Sequence, residues 1–228
     1  MFAAKQIYLG RCAKAAPTAK SYVQDGLIVQ LDGIENSGYG VHDANATVWK
    51  SLVGNYSASG VSGNFSWGDN ALLSANVAAG AGLGFGVSIP SFNYMTMEIC
   101  YDAQSGSRYL VDSGFGNQFA ILSRDGAYLQ FTSYRGIVKS SAAMYGQHCI
   151  SYVYSGNSAN SAYENGSPAT LSSISNSWNP GSWSIGTKNS RYNGFRGKMH
   201  SYRLYSRALT AAEIAANYAI DKERFNLP

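Results

Sequence analysis

Gly197-Lys-Met-His-Ser-Tyr-Arg-Leu-Tyr-Ser-Arg-Ala-Leu209, continued by Thr210-Ala-Ala-Glu213, is the stretch that decides the fold class. Met199 and then Tyr202 and Leu204 read as inward positions, so an alternation of period two slips by one residue around His200-Ser201, the signature of a β-bulge. The strand runs into a capping box, in which the Thr210 hydroxyl and the Glu213 carboxylate satisfy each other's backbone N–H groups at a helix start. Ile214, Tyr218 and Asp221-Lys222 come next at helical spacing, with Ile214 and Tyr218 on the face expected to pack.

Beyond this stretch, every other convincing element is a strand. Met95-Thr-Met-Glu-Ile-Cys-Tyr-Asp102 alternates with Met95, Met97, Ile99 and Tyr101 on one face, and Leu27/Val29/Leu31 alternate against Ile28/Gln30/Asp32. Arg124-Asp125-Gly126 between two apolar runs, and Asn165-Gly166 farther on, supply the positive φ angles that tight hairpin turns need. Short strands, Gly- and Asn-rich turns and one terminal helix predict an all-β fold, a two-sheet antiparallel jelly-roll sandwich with one short C-terminal helix. Residues 21–228 form this single domain. Residues 1–20, with Lys5, Arg11, Lys14 and Lys20 and no acid, read as a basic N-terminal arm and a docking segment.

Composition narrows the function classes. Seventeen Lys and Arg against thirteen Asp and Glu give a formal charge of +4, and these cations are scattered along the chain. A nucleic-acid binder needs them clustered in a stripe, so nucleic acid is not expected as a partner. No stretch is apolar enough to span a bilayer, and the opening residues lack the apolar run of a signal peptide, which points to a chain that starts in a cytoplasm. Cys12, Cys100 and Cys149 are an odd number with no zinc-ligand spacing.

Three stretches together resemble the concanavalin A-like lectin/glucanase superfamily in its laminin-G/pentraxin-type branch. They are Asp25-Gly-Leu-Ile-Val-Gln-Leu-Asp32-Gly with Trp49-Lys-Ser-Leu-Val-Gly-Asn55; Met95–Cys100 with Gln147–Tyr154 and Tyr163–Gly166; and Ser184-Ile-Gly186 with Gly197–Leu209 and the capped helix. The variant with Asp-Gly-Ile-Glu-Asn near the start and Tyr-Ala-Ile-Asp-Lys-Glu-Arg-Phe near the end is similar to modules of tailed phages and prophages of gut bacteria. Pentraxins join the two central strands by a disulfide, and parity puts Cys100 and Cys149 both off the core. Cys100 sits two residues beyond the pentraxin position, so thiols and a disulfide both remain open. Laminin-G-type relatives often bind Ca²⁺ at one rim. Where many of them carry an acidic residue before the last strand's arginine, this chain has His200-Ser201, so no cofactor is expected. Asp32, Asp112 and Asp125 are the oxygen donors to check, and turn formation accounts for Asp32 and Asp125 without metal.

The superfamily includes hydrolases with two glutamates around an aspartate at alternate positions of one strand. Here the middle position is Cys100, and Glu98 and Asp102 on one face would stand about 13 Å apart, beyond the roughly 5–9.5 Å that glycoside hydrolysis uses. Both carboxylates are read as solvated, and the chain as not an enzyme. There is no Gly-x-Ser-x-Gly elbow, no His-Glu-x-x-His and no phosphate loop. The remaining signal is aromatic: seventeen Tyr and four Trp, with Tyr39, Tyr134, Trp178 and Tyr192 beside Asn193 in polar, Gly- or Asn-rich contexts where a sugar ring could stack. The expectation is a surface-display or binding module with carbohydrate as ligand. It would be a virion structural protein, namely a decoration protein, head fibre or tail-associated adhesin, assembled in the host cytoplasm in many copies. Its partners would be capsid or tail proteins and glycans on a bacterial or mucosal surface. The alternatives are a secreted or cell-surface bacterial carbohydrate-binding module and a divergent glycoside hydrolase.

Overall fold

The computed structural model describes residues 17–61, 64–75, 83–85, 89–90, 92–107, 109–112, 120–122, 128–133, 136–156, 160–172, 183–186 and 194–228. Among these, sixteen strands form two antiparallel sheets of eight strands each. The first sheet runs, edge to edge, Ser167–Ala169, Ser161–Glu164, Gly146–Tyr154, Met95–Ala103, Gly197–Tyr205, Ala71–Ser74 and Phe65–Gly68, with Leu27–Asp32 also paired to Gly197–Tyr205. The second runs Gly136–Ala143, Tyr128–Ser133, Ala120–Leu122, Tyr109–Asp112, Ser184–Ile185, Leu83–Phe85, Ala58–Ser59 and Val48–Trp49. Their inner faces meet in one core that includes Val29, Met97, Ile99, Tyr152 and Leu204 from the first sheet and Trp49, Val111, Ile121, Phe131 and Ile185 from the second. The fold is therefore the all-β jelly-roll sandwich with one C-terminal helix that the alternation predicts.

Local details agree with the sequence. The pairing of Gly197–Tyr205 with Met95–Ala103 shifts register between Met199 and Ser201, which is the expected bulge at His200. Asn165 and Gly166 have φ of 50° and 74°, as a two-residue hairpin turn requires. Only glycine fits the second of these positions, because a Cβ there would stand 2.9 Å from Cδ1 of Tyr218, whose ring lies across the turn. The Ala120–Leu122 and Tyr128–Ser133 strands pair antiparallel, while the Asp125-Gly126 turn lies outside the described residues.

The helix, Ala211–Phe225, begins as the capping box dictates: Glu213 N–H donates to Thr210 Oγ1 at 3.3 Å, and Thr210 N–H donates to Glu213 Oε2 at 2.8 Å. Its packed face holds the Ile214 and Tyr218 read from the sequence and is wider than that reading. Ile214 is buried but Tyr218 only half so, and the buried positions are Ile214, Asn217, Asp221 and Phe225, spaced three and four apart. Two of those four are polar, because the helix lies on the outer face of the first sheet, where polar strand residues receive it.

This corrects the reading of Glu98 as a solvated carboxylate. Glu98 is 3% exposed and lies beneath the helix, while Asp102, farther along the strand, is half-buried. Arg203 Nε donates to Glu98 Oε2 at 2.8 Å, and the Arg203 guanidinium grips Asp221 in a two-pronged pair at 2.8 and 2.5 Å. Asn217 Nδ2 donates to the same Glu98 oxygen at 2.9 Å, and Ser151 Oγ donates to Oε1 at 3.2 Å. Tyr22 completes the cluster, its ring 4.0 Å below the guanidinium and its hydroxyl donating to Asp221 at 2.7 Å. Burial pushes the Glu98 carboxyl up, against the lowering effect of Arg203.

Cys100 and Cys149 face each other in register on the two central strands, with Cα atoms 4.0 Å apart, and form a disulfide. The bond lies off the main core in a small cluster with Phe225 and Leu227, as the parity of both residues requires.

Arg203→Leu strands Glu98 and Asp221 as buried unpaired charges, so it should destabilise the domain by about 3–5 kcal/mol in urea denaturation, as expected when one partner of a buried ion pair is removed. At the helix start, Arg207 and the backbone and hydroxyl of Thr210 hold the Glu213 carboxyl well down, from 4.5 to about 2. A depressed carboxyl stabilises the fold above its unfolded pKa and loses that contribution as pH falls through the folded value. Acid titration of stability between pH 4.5 and 2 should therefore show a loss that Glu213→Gln lacks, and Thr210→Ala should cost about 0.5–2 kcal/mol at neutral pH.

Candidate functional site

Of the aromatic residues singled out, Tyr39 is described, and it is half-buried. Tyr134, Trp178, Tyr192 and Asn193 lie outside the described residues. Tyr39 occupies the tip of a turn in which Val41 N–H donates to Gly38 O at 2.9 Å and Gly40 takes φ of 70°, a conformation that glycine adopts without strain.

The loop behind that turn is tied at several points. Asp32 Oδ1 accepts from the backbone N–H groups of Ile34 and Glu35 at 2.9 and 3.0 Å. The Asn36 side chain bonds both ways to the backbone of Asp43, at 2.9 and 2.8 Å, and Trp49 Nε1 donates to Asp32 O at 3.0 Å. Asp32 is thus a turn residue, 1% exposed, and its other oxygen accepts from Arg224 of the helix at 2.8 Å. That arrangement agrees with the reading of Asp32 as a turn residue.

A pocket of about 300 Å³ opens at Tyr39, lined by Thr18, Lys20, Glu35, Tyr39 and Gly40. The Lys20 ammonium sits 4.5 Å from the centre of the Tyr39 ring, a cation–π distance. Glu35 is 7% exposed; its Oε1 stands 3.5 Å from Arg224, and its Oε2 has no hydrogen-bond partner. Desolvation and the Glu35 charge raise the Tyr39 hydroxyl, so it remains a neutral donor through the physiological range.

One wall of this pocket is the segment Pro17–Lys20, read from the sequence as the end of an arm. Ala19 is fully buried, its carbonyl accepts from Gln30 Nε2, and Pro17 O accepts from Arg224 at 2.9 Å. Sequence reasoning found Tyr39 through its glycine neighbours but missed Lys20 and Glu35. Those two reach the pocket only because the chain's start and its terminal helix converge on the same loop.

The other expected features lie elsewhere in the fold. Among the described residues, one group of His, Cys, Asp and Glu comes close enough to hold a metal ion, Cys100, Cys149 and Asp221. The disulfide and the Arg203 pair occupy those atoms. Asp112 is 1% exposed within its strand, and Asp125 lies outside the described residues. His200 is buried, with Nδ1 3.2 Å from Asn70 O, and no described helix is long and apolar enough to cross a membrane.

Among solved structures, the chain is similar to a Trypanosoma rangeli sialidase in complex with a difluorinated KDN, with TM-score 0.60 and 17% identity over 92% of this chain and 34% of that one. It spans about a third of the length of the sialidases it matches. It is also similar to domain 4 of AbnA, a GH43 extracellular arabinanase from Geobacillus stearothermophilus, in complex with arabinotriose. There the TM-score is 0.57 and the identity 15%, over 84% of this chain and 98% of that one. A third likeness is to the binding domain of Paraclostridial Mosquitocidal Protein 1, with TM-score 0.57 and 13% identity over 85% and 52% of the two chains. No curated protein sequence matches.

These likenesses correct the expectation that the chain is not an enzyme, because the sialidases among them are enzymes. The carboxylate pair weighed for catalysis, Glu98 and Asp102, lies on a strand face that the helix partly covers, so its spacing says nothing of an open site. At such identities the likeness carries the fold and leaves the chemistry open. Residues 93–215, more than half of the 228, match the family model of the concanavalin A-like lectin/glucanases superfamily, and the chain belongs to that superfamily.

Proposed function

We propose that this chain is a glycan-recognising module whose pocket at Tyr39 holds a sugar ring, and that it is displayed on the surface of a phage virion. The observation that carries the glycan reading is the pocket itself: an aromatic face fixed by a tied turn, with an ammonium and a carboxylate beside it. Sugar rings present C–H groups to such a face and hydroxyls to such charges. The superfamily supports this reading, as does the likeness to an arabinanase domain in complex with arabinotriose.

Virion placement rests on the resemblance of Asp32-Gly-Ile-Glu-Asn36 and Tyr218-Ala-Ile-Asp-Lys-Glu-Arg-Phe225 to modules of tailed phages. Assembly in the host cytoplasm and contacts with capsid or tail proteins belong to the same proposal. Many copies on one particle would let weak single sites act together. A second reading, a carbohydrate-binding module of a secreted or cell-surface bacterial protein, is favoured by the match to nearly the whole of an arabinanase domain.

Glycan-array screening followed by calorimetry should find a binding glycan, and Tyr39→Ala should weaken that binding about tenfold, the loss of a ring contact worth roughly 1.5 kcal/mol. Unchanged affinity in the variant would remove the site from Tyr39. For virion placement, deletion of residues 1–16 leaves the seated Pro17 and everything after it. The truncated protein should keep its thermal transition and fail to add to particles that lack the protein, whereas full incorporation would refute docking through this arm.

A further inference from the structure

The pocket at Tyr39 contains two opposite charges that do not pair with each other. Lys20, exposed, places its ammonium over the Tyr39 ring, and Glu35, almost fully buried, keeps one carboxylate oxygen without any donor. Nor does Arg224 beneath them meet the deficit of Glu35. Its Nη2 lies 2.8 Å from Asp32 Oδ2 and only 3.5 Å from Glu35 Oε1, so its charge is spent mainly on Asp32. A buried acceptor left unmatched is costly, and a ligand that brings a donor recovers that cost on binding.

Three classes of sugar can be weighed against this arrangement. An anionic sugar gains from Lys20 but carries its carboxylate towards Glu35, adding like charge beside an oxygen that lacks donors. An amino sugar satisfies Glu35 but must take the ring from Lys20, exchanging one cation for another over the same π face. A neutral sugar does neither. Its hydroxyl hydrogens serve Glu35, its hydroxyl oxygens accept from Lys20, and its C–H face takes the ring once the ammonium swings aside. Lys20 can make that movement because its side chain is exposed and its stem flexible. The Glu35 oxygen is closed to solvent, so a ligand reaches it only by displacing part of the pocket wall.

We infer that the Tyr39 pocket selects neutral, hydroxyl-rich sugars over charged ones, with Glu35 accepting from a sugar hydroxyl and Lys20 donating to another after leaving the Tyr39 ring. This rests on the glycan reading above and adds to it the ligand's charge class and two specificity-determining residues.

The test is a titration of the full chain, followed by amide NMR, with galactose, mannose, arabinose and N-acetylglucosamine as neutral probes. Glucuronic acid and N-acetylneuraminic acid serve as anionic probes, and glucosamine as the cationic one. At least one neutral sugar should shift the Tyr39 and Gly40 amides and bind about tenfold more tightly than every charged probe, the size of one hydrogen bond to a charged group. Glu35→Gln should weaken the neutral sugar about tenfold and narrow its margin over glucuronic acid. Lys20→Met keeps the stem on an exposed residue and reports even if the Glu35 variant folds poorly; it should weaken the neutral sugar several-fold. Charged probes that bind as tightly as neutral ones overturn the inference. Glycan binding that persists with shifts only outside residues 35–40 also overturns it, and leaves the broader glycan reading standing. No shift or heat with any sugar, and no binding on the array, sinks both.

Discussion

The Arg203 guanidinium, held between Glu98 on one strand and Asp221 on the helix, is the contact on which the rest of the architecture depends. A β-sandwich ordinarily leaves the outer face of each sheet to water. Here a charged side chain is 2% exposed on such a face, which is tolerable only because carboxylates meet it there. Arg203 donates to Glu98 and Asp221, and those carboxylates accept in turn from parts of the chain far apart in sequence: Ser151 of a central strand, Asn217 of the helix and Tyr22 of the N-terminal segment. The geometry is specific, because a planar fork accepts a two-pronged carboxylate in one orientation. It sets where the helix lies, whereas the apolar contacts of Ile214 and Phe225 alone would permit sliding.

Docking of the helix carries through to the rim. With the helix fixed, Arg224 comes to Asp32 and to Pro17, so one residue ties together the first strand, the N-terminal segment and the loop that bears Glu35 and Tyr39. Thr96 works in the same way at the other end of the helix: its hydroxyl donates to Arg207 O and accepts from Leu209 N–H, which fixes the strand-to-helix turn. The disulfide lies under the helix's last turn and adds a covalent link between the two central strands where Phe225 and Leu227 cover them. The outer face of the first sheet is therefore a second, smaller core with polar contents.

That second core explains which parts of the molecule could be read from the sequence. Period-two alternation, the slip at His200, the Asn165-Gly166 turn and the capping box at Thr210 are local signals, and each predicts the backbone seen. Alternation also puts polar strand residues off the core, and there the reading of Glu98 as solvated failed, because the helix buries it. Asn217 and Asp221, four residues apart and in line with Ile214 and Phe225, were the available clue. A polar pair on the packing side of a helix implies polar partners beneath it, but which strand supplies them is a tertiary fact. The same limit applied to function. Tyr39 between two glycines could be picked out, while Lys20 and Glu35 are ordinary surface letters until the chain ends meet. The exclusion of catalysis was argued from a single strand, whereas the likeness to sialidases that corrects it lies in the whole fold, which no single strand's letters report.

Seating of the N-terminal segment and any occupancy of the pocket would be coupled in free energy. The pocket's walls come from that segment and from the loop after the first strand, and Arg224 of the helix bonds to both. A ligand held by Lys20, Glu35 and Tyr39 therefore binds only the arrangement in which Pro17–Lys20 is seated against the sheet. By linkage, whatever binds there must stabilise that seating by the same free energy that the seating lends to binding.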